Sequence, residues 1–282
     1  MKRMWLVVVT LLAGIGTVCY PVISNHLALR GASEAIQAYA DAVSVLDAAA
    51  LEAEWAAAEA YNQSLTGSPV HDPFLAGSGM AMAEDYRSVL NLGGAMGYLE
   101  IPRIRVHLPI LHGTGEAALT RGVGHLEGST LPVGGTPRHA VLTGHTGLSR
   151  AKLLTDLVEL REGDEFYVHV LGDVLAYRVV AISVIEPSDT SQLGRFAGRD
   201  YVSLLTCTPY GVNSHRLLVR GERVPYVPEV RAGVVPVTAS TTDQLARRAA
   251  AVTAAVMAGL IVVVLVARSR REARYQARRG LA

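Results

Sequence analysis

Between Gly97 and Gly221 the chain reads as apolar runs broken by turn residues, a spacing that suits paired strands and little else. The runs are Gly97–Ile101, Val106–Leu111, Ala140–Thr143, Glu165–Val170, Leu175–Ile185, Tyr201–Thr206 and Arg216–Gly221. Turn signals recur about every ten to twenty residues, and the connections are mostly too short for the helical crossovers of a parallel sheet. A mainly β fold follows, a closed or nearly closed β-barrel over residues 96–228. Short helices fit around Glu116–Thr120 and Ala151–Leu154.

The flanks are different in kind. Over 31–63 an Ala-rich stretch places Ile36, Tyr39, Val43, Leu46 and Ala50 three and four apart, the mark of an amphipathic helix or helix pair with a packing face. Ser33 is placed to cap its start. Residues 64–79 form a loop rich in Gly, Ser and Pro. Residues 1–23 carry an almost wholly apolar run, Met4–Tyr20, behind Lys2 and Arg3, and read as a membrane anchor or a signal segment. No small-x-small cleavage site stands out between Val18 and Ala32, which favours the anchor.

A Pro- and Val-rich linker, 229–248, leads to 249–267, which has no charged residue and would reach about 28 Å as a helix, close to the ~30 Å hydrocarbon core. Arg268, Arg270, Arg271, Arg274, Arg278 and Arg279 in the basic tail, 268–282, outnumber Arg247 and Arg248 on the other flank. The positive-inside rule then puts both termini in the cytoplasm and Pro21 to Arg248 outside the cell membrane. The tail arginines meet lipid headgroups. With a net charge of +1 and no basic stripe outside that tail, nucleic acid is not an expected partner.

Of the two cysteines, Cys19 lies in the apolar segment, so Cys207 has no disulfide partner. An unpaired thiol on the oxidising side of a membrane points to reactive chemistry. Cys207 ends one apolar run, Arg216 opens the next, and His145 ends Ala140–His145, so the three can converge at one rim. An imidazolium would stabilise the thiolate and later protonate a leaving amine. The guanidinium, always charged, suits gripping a substrate backbone or a carbonyl oxygen as it gains negative charge. His107, His112, His139 and His169 lack metal-ligand spacing and no phosphate cradle appears, so neither a metal nor another cofactor is expected. His71 and His215 read as ordinary loop histidines, Lys152 as a solvated residue in a helix, and His125 has no derivable chemical role.

Leu205-Thr206-Cys207 followed by Arg216, with Thr143-Gly144-His145-Thr146-Gly147 upstream, closely resembles the sortase transpeptidases. Gly97-Tyr98-Leu99-Glu100-Ile101-Pro102 and Gly124-His125-Leu126-Glu127-Gly128-Ser129 also look like theirs. The resemblance, over about Asp72 to Pro225, implies an eight-stranded barrel with His145 as acid, Cys207 as nucleophile, Arg216 as oxyanion or substrate clamp, and Thr206 beside the nucleophile. It implies cleavage of a Leu-Pro-x-Thr-Gly (LPxTG-type) sorting signal between Thr and Gly through a thioester. Asp72-Pro73-Phe74 looks like the lid motif of class C sortases, and a second membrane span near the C-terminus is also typical of that class. That class implies pilin subunits as partners, a pilin lysine as acceptor, and a lid whose Asp72 sits near Arg216 and whose Phe74 covers Cys207. A housekeeping sortase, attaching proteins to a cell-wall precursor, is the alternative within the family. A silent, membrane-tethered barrel that binds an extended peptide is the alternative outside it.

Overall fold

The structure is a computed structural model that describes residues 2–65, 70–74, 84–148, 150–228 and 269. Its contacts divide the chain into two units, one containing the apolar start of the chain through His26, the other Leu27–Val237. Helix α1 (Lys2–Ser44) contains, over Val8–Ser44, the one stretch among the described residues long and apolar enough to cross a membrane. The expected linker, second span and basic tail lie outside the described residues, save Ser269.

Helix α2 (Ala48–Ser64) begins at Asp47, whose carboxylate accepts the Ala50 amide at 2.8 Å and so satisfies an otherwise unpaired donor of the first turn. The helical segment is thus a pair, but its first member does not start at Ser33. Leu27, Ala28, Leu29 and Arg30 are strong helix formers, and α1 runs through them, leaving Ser33 in its interior.

Eight strands close the barrel: β1 (Gly97–Ile101), β2 (Val106–His112), β3 (Val123–His125), β4 (Arg138–Thr143), β5 (Glu165–Val170), β6 (Asp173–Ile185), β7 (Asp200–Thr208) and β8 (His215–Val224). Around the barrel the order is β1-β2-β3-β4-β7-β8-β6-β5, returning to β1. The β2–β3 and β4–β7 pairs are parallel and the others antiparallel. Leu99, Ile110, Leu142, Phe166, Leu204 and Val219 fill the interior and are wholly buried. The short helix α3 (Glu116–Leu119) falls where the sequence placed it. No helix forms at Ala151–Leu154; a 3-10 turn follows at Thr155–Glu159. Strand β7 also runs past Thr206, because Cys207 and Thr208 pair with Arg216 and His215.

The C-terminal half of α1 and α2 pack on the barrel of the second unit. Tyr39 is buried among Ala95, Leu111 and Ala118, and its hydroxyl accepts the Leu171 amide at 2.6 Å. Gly93, at φ +60°, lies so close that a Cβ there would be 2.6 Å from the Ala38 carbonyl oxygen. Asn62 of α2, fully buried, accepts the Leu131 amide at 2.7 Å and donates to the Leu131 carbonyl at 3.5 Å. His125 has a structural place: its Nδ1 accepts from the Tyr86 hydroxyl at 2.9 Å and its Nε2 donates to the Thr130 carbonyl at 2.9 Å. Burial pushes this imidazole down to about 4, so it is neutral at pH 7.

Candidate active site

Side chains alternate across the wall of the barrel. On β7 Val202 and Leu204 point into the core, whereas Leu205 and Cys207 share the outward face. On β8 Arg216 lies directly opposite Cys207, and Leu218 opposite Leu205. The separation of thiol and guanidinium is thereby set by the strand pairing rather than by the loop between them.

His145 arrives from β4. The parallel register pairs Thr143 with Leu205, and extending it by two residues brings His145 level with Cys207. Three bonds fix that loop: the Thr143 hydroxyl donates to the Leu205 carbonyl at 3.1 Å, and the Gly144 amide to the same oxygen at 3.1 Å. The third comes from Thr206, which points inward and whose hydroxyl donates to the Gly144 carbonyl at 2.7 Å. Its oxygen also lies 2.8 Å from the Thr146 hydroxyl. Thr206 therefore holds the histidine loop from behind while its neighbour faces outward.

Outside this surface lies the segment Val70–Phe74. Arg216 Nε donates to Asp72 Oδ2 at 2.6 Å, with both side chains almost completely buried. The other carboxylate oxygen accepts the Phe74 amide at 2.7 Å, closing a turn through Pro73. That turn places the Phe74 ring 5.6 Å from the His145 ring and 5.2 Å from the Arg216 guanidinium carbon, in cation–π contact. The guanidinium also donates through Nη1 to the Asn213 and His215 carbonyls, each at 3.1 Å. Asp72, Phe74, His145, Cys207 and Arg216 thus meet at one rim.

The thiol is 7% exposed. Burial pushes its pKa up; the Arg216 charge pulls it down, and the Asp72 carboxylate pushes it up again. With the segment in this position the thiolate is disfavoured, since Asp72 offsets the Arg216 charge that favours it. Removing Asp72 would leave an outward thiol beside an unpaired guanidinium and an imidazole, a set competent for acyl transfer.

Two contacts of this site were not visible in the sequence. Val70 is buried in an apolar pocket of Leu126, Val141, Leu193, Leu205 and Leu218, on the same face as Cys207. Glu116, at the start of α3, lies 3.3 Å from His145 Nε2 and is held by Arg150 Nη2 at 3.1 Å. The other histidines stand apart. His71 is exposed, and His215 pairs with Glu186 at 3.3 Å. Lys152 pairs with Asp156. Among the described residues no group of His, Cys, Asp and Glu is placed to hold a metal ion.

A sortase domain model matches residues 99–224. Sortase D of Bacillus subtilis is 32% identical over 135 residues, 47% of this chain and 65% of that protein, so the chain spans slightly under two thirds of this relative. Sortase C1 of GBS pilus island 1 superposes with a TM-score of 0.64 at 45% identity, covering 70% of this chain and 93% of that one. Sortase C-1 of Actinomyces oris does so with a TM-score of 0.60 at 50% identity, covering 62% and 99%. The barrel order, the outward Cys207 and Arg216 pair, and these matches have one reading: the chain belongs to the sortase family of cysteine transpeptidases.

Proposed function

We infer that the chain is a membrane-anchored, pilin-polymerising sortase of class C. The Cys207 thiolate attacks the threonine carbonyl carbon of a Leu-Pro-x-Thr-Gly signal, forming a C–S bond as the C–N bond to glycine breaks. His145 gives its proton to the departing glycine amine. Arg216 holds the carbonyl oxygen while it carries negative charge. A pilin lysine ε-amine then attacks the thioester, an isopeptide bond forms as the C–S bond breaks, and the amine's proton goes to His145 as the thiolate is regenerated. Thr206 positions the histidine loop.

One observation carries the assignment to this class: Asp72 occupies Arg216 at 2.6 Å while the Phe74 ring lies tilted against His145, 5.6 Å between centroids. A segment that ties up both groups is a lid that must leave before an acyl donor enters. Its direction supports this, since the Leu65 carbonyl accepts from Arg195, Val70 fills the pocket beside Leu205, and Phe74 lies at the rim. The lid thus runs toward Cys207 from its N-terminal side, as the signal would, with Val70 where an apolar signal residue would lodge. Structures similar to this chain include a pilus-island sortase and a Streptococcus pneumoniae sortase C described for pilin substrate specificity.

The N-terminal apolar segment anchors the enzyme, and the surplus of arginines after residue 267 orients it with the barrel outside the cell. The test is incubation of the full chain with a pilin bearing an LPxTG-type signal, followed by mass spectrometry of the products. An isopeptide between signal threonine and pilin lysine is expected, and Cys207→Ala should abolish it. Linkage to a peptidoglycan stem instead would assign wall anchoring, and unimpaired polymerisation by Cys207→Ala would overturn the enzyme reading altogether.

A further inference from the structure

The outward face that carries Arg216 and Leu218 continues along β8 to Arg220, two residues and about 7 Å farther from the thiol. Arg220 lies opposite Ser203. Its guanidinium carbon sits 4.5 Å over the Phe196 ring and 5.5 Å from the Tyr201 ring. Nη2 donates to the Gln192 backbone carbonyl at 3.0 Å and lies 3.4 Å from the Gln192 side-chain oxygen. Nε is buried without any hydrogen-bond acceptor.

Among the described residues no carboxylate pairs with this cation. The acids adjacent in sequence to its neighbours are engaged elsewhere: Glu222 with Arg199 at 2.6 Å, Asp200 with the Gly135 amide at 2.8 Å, and Asp189 with Ser191 at 2.6 Å. His139 adds no charge, because burial holds it neutral, with Nδ1 on the Gly194 carbonyl and Nε2 on the Ser203 hydroxyl. A half-buried guanidinium stacked on two rings, with one donor unused, is a costly arrangement unless an anion completes it. The lid does not supply one. It brings Asp72 to Arg216, but the residues ahead of Val70 are Thr66-Gly67-Ser68-Pro69.

We propose that Arg220, backed by Phe196 and Tyr201, is a carboxylate-binding subsite for the acyl donor, selecting signals with Asp or Glu one or two residues before the apolar leucine. This rests on the reading that the signal lies along the β7–β8 face with its leucine in the pocket that Val70 fills. Two residues of extended peptide cover the same ~7 Å as the step from the Leu205 and Leu218 row to the Ser203 and Arg220 row. The donor's N-terminal flank then passes over Arg220, and its side-chain carboxylate takes the place no residue of the described chain fills.

The experiment uses the full chain carrying Asp72→Ala, so that the lid does not compete, and fluorogenic signal peptides. The peptides differ only by Glu or Gln at one, or at two, residues before the leucine. At one of these positions kcat/KM should be about two- to fivefold higher for Glu than for Gln, the range of a partly exposed ion pair. The ratio should shrink as salt rises. Arg220→Gln should bring it to one, and Arg220→Lys, which keeps the charge but not the planar fork, should retain part of it. Equal cleavage of Glu and Gln peptides at both positions overturns the subsite while leaving the transpeptidase reading intact. So does a ratio that survives Arg220→Gln. Failure to cleave any peptide overturns the transpeptidase reading and the subsite with it.

Discussion

Cys207 and Asp72 set opposing demands on one guanidinium. While Asp72 is bonded to Arg216, the thiol keeps a raised pKa; once that carboxylate is gone, its like charge is removed and the Arg216 charge acts on the thiol without an offset. That favours the thiolate, so Asp72→Ala should speed iodoacetamide alkylation of Cys207 and move the midpoint of its pH profile downward. An unchanged midpoint would mean that Asp72 does not restrain the thiol. Glu116 is a smaller matter. Its carboxylate is largely exposed, and an exposed pair contributes about 0.2–1 kcal/mol, so Glu116→Gln should cost at most about fivefold in peptide cleavage. Cys207, His145 and Arg216 were legible because each sits at the end of an apolar run, where a strand delivers its last side chain to a rim. Glu116, Val70 and Arg220 were not: they gain meaning only from partners far away in sequence, 29 residues in the case of Glu116 and His145.

Elements tell a similar story with a different cause. Seven of the eight strands announced themselves by apolar runs, whereas β3 has only three residues, too few for an alternating pattern. Its Gly124-His125 pair was visible as a motif without its conformation. The parallel pairing of β4 with β7 is a property of the closed barrel and leaves no local mark. The lid element has two points of hold, and the apolar one is separable from the ionic one. Val70→Ala should raise the alkylation rate of Cys207 while leaving the Asp72 and Arg216 pair in place; no change would assign the latch to the ion pair alone. For α2, Asn62→Ala strands the buried amide of Leu131, whose carbonyl keeps the Val133 amide at 2.8 Å, and an unpaired buried donor costs about 1–3 kcal/mol. Urea unfolding should register that loss.

At the scale of the barrel, His112, His125 and His139 all have pKa values lowered first by burial, the last two to about 4. In the unfolded chain they take up protons near pH 6.5; in the folded one His112 does so lower, and His125 and His139 only near pH 4. Their stabilising effect is therefore intact above pH 6.5 and is lost as pH falls toward 4, on the order of 3 kcal/mol for each of the two deepest. Urea unfolding measured from pH 6.5 to 5 should show the unfolded state's excess of bound protons from these two rings rise from about one toward two; a flat profile would contradict these buried, neutral rings. The closure of the sheet has a further consequence. Among the described residues every strand has a neighbour on both sides, and only short stretches, such as Val106–Pro109 of β2 beyond the end of β3, have one open side. Such a closed sheet gives little room to recruit a partner by adding a strand, the route by which many proteins capture extended peptides irrespective of side chain. Whatever this barrel holds, it must tell apart by its side chains, and a change of client requires only new residues along the outward face of β7 and β8.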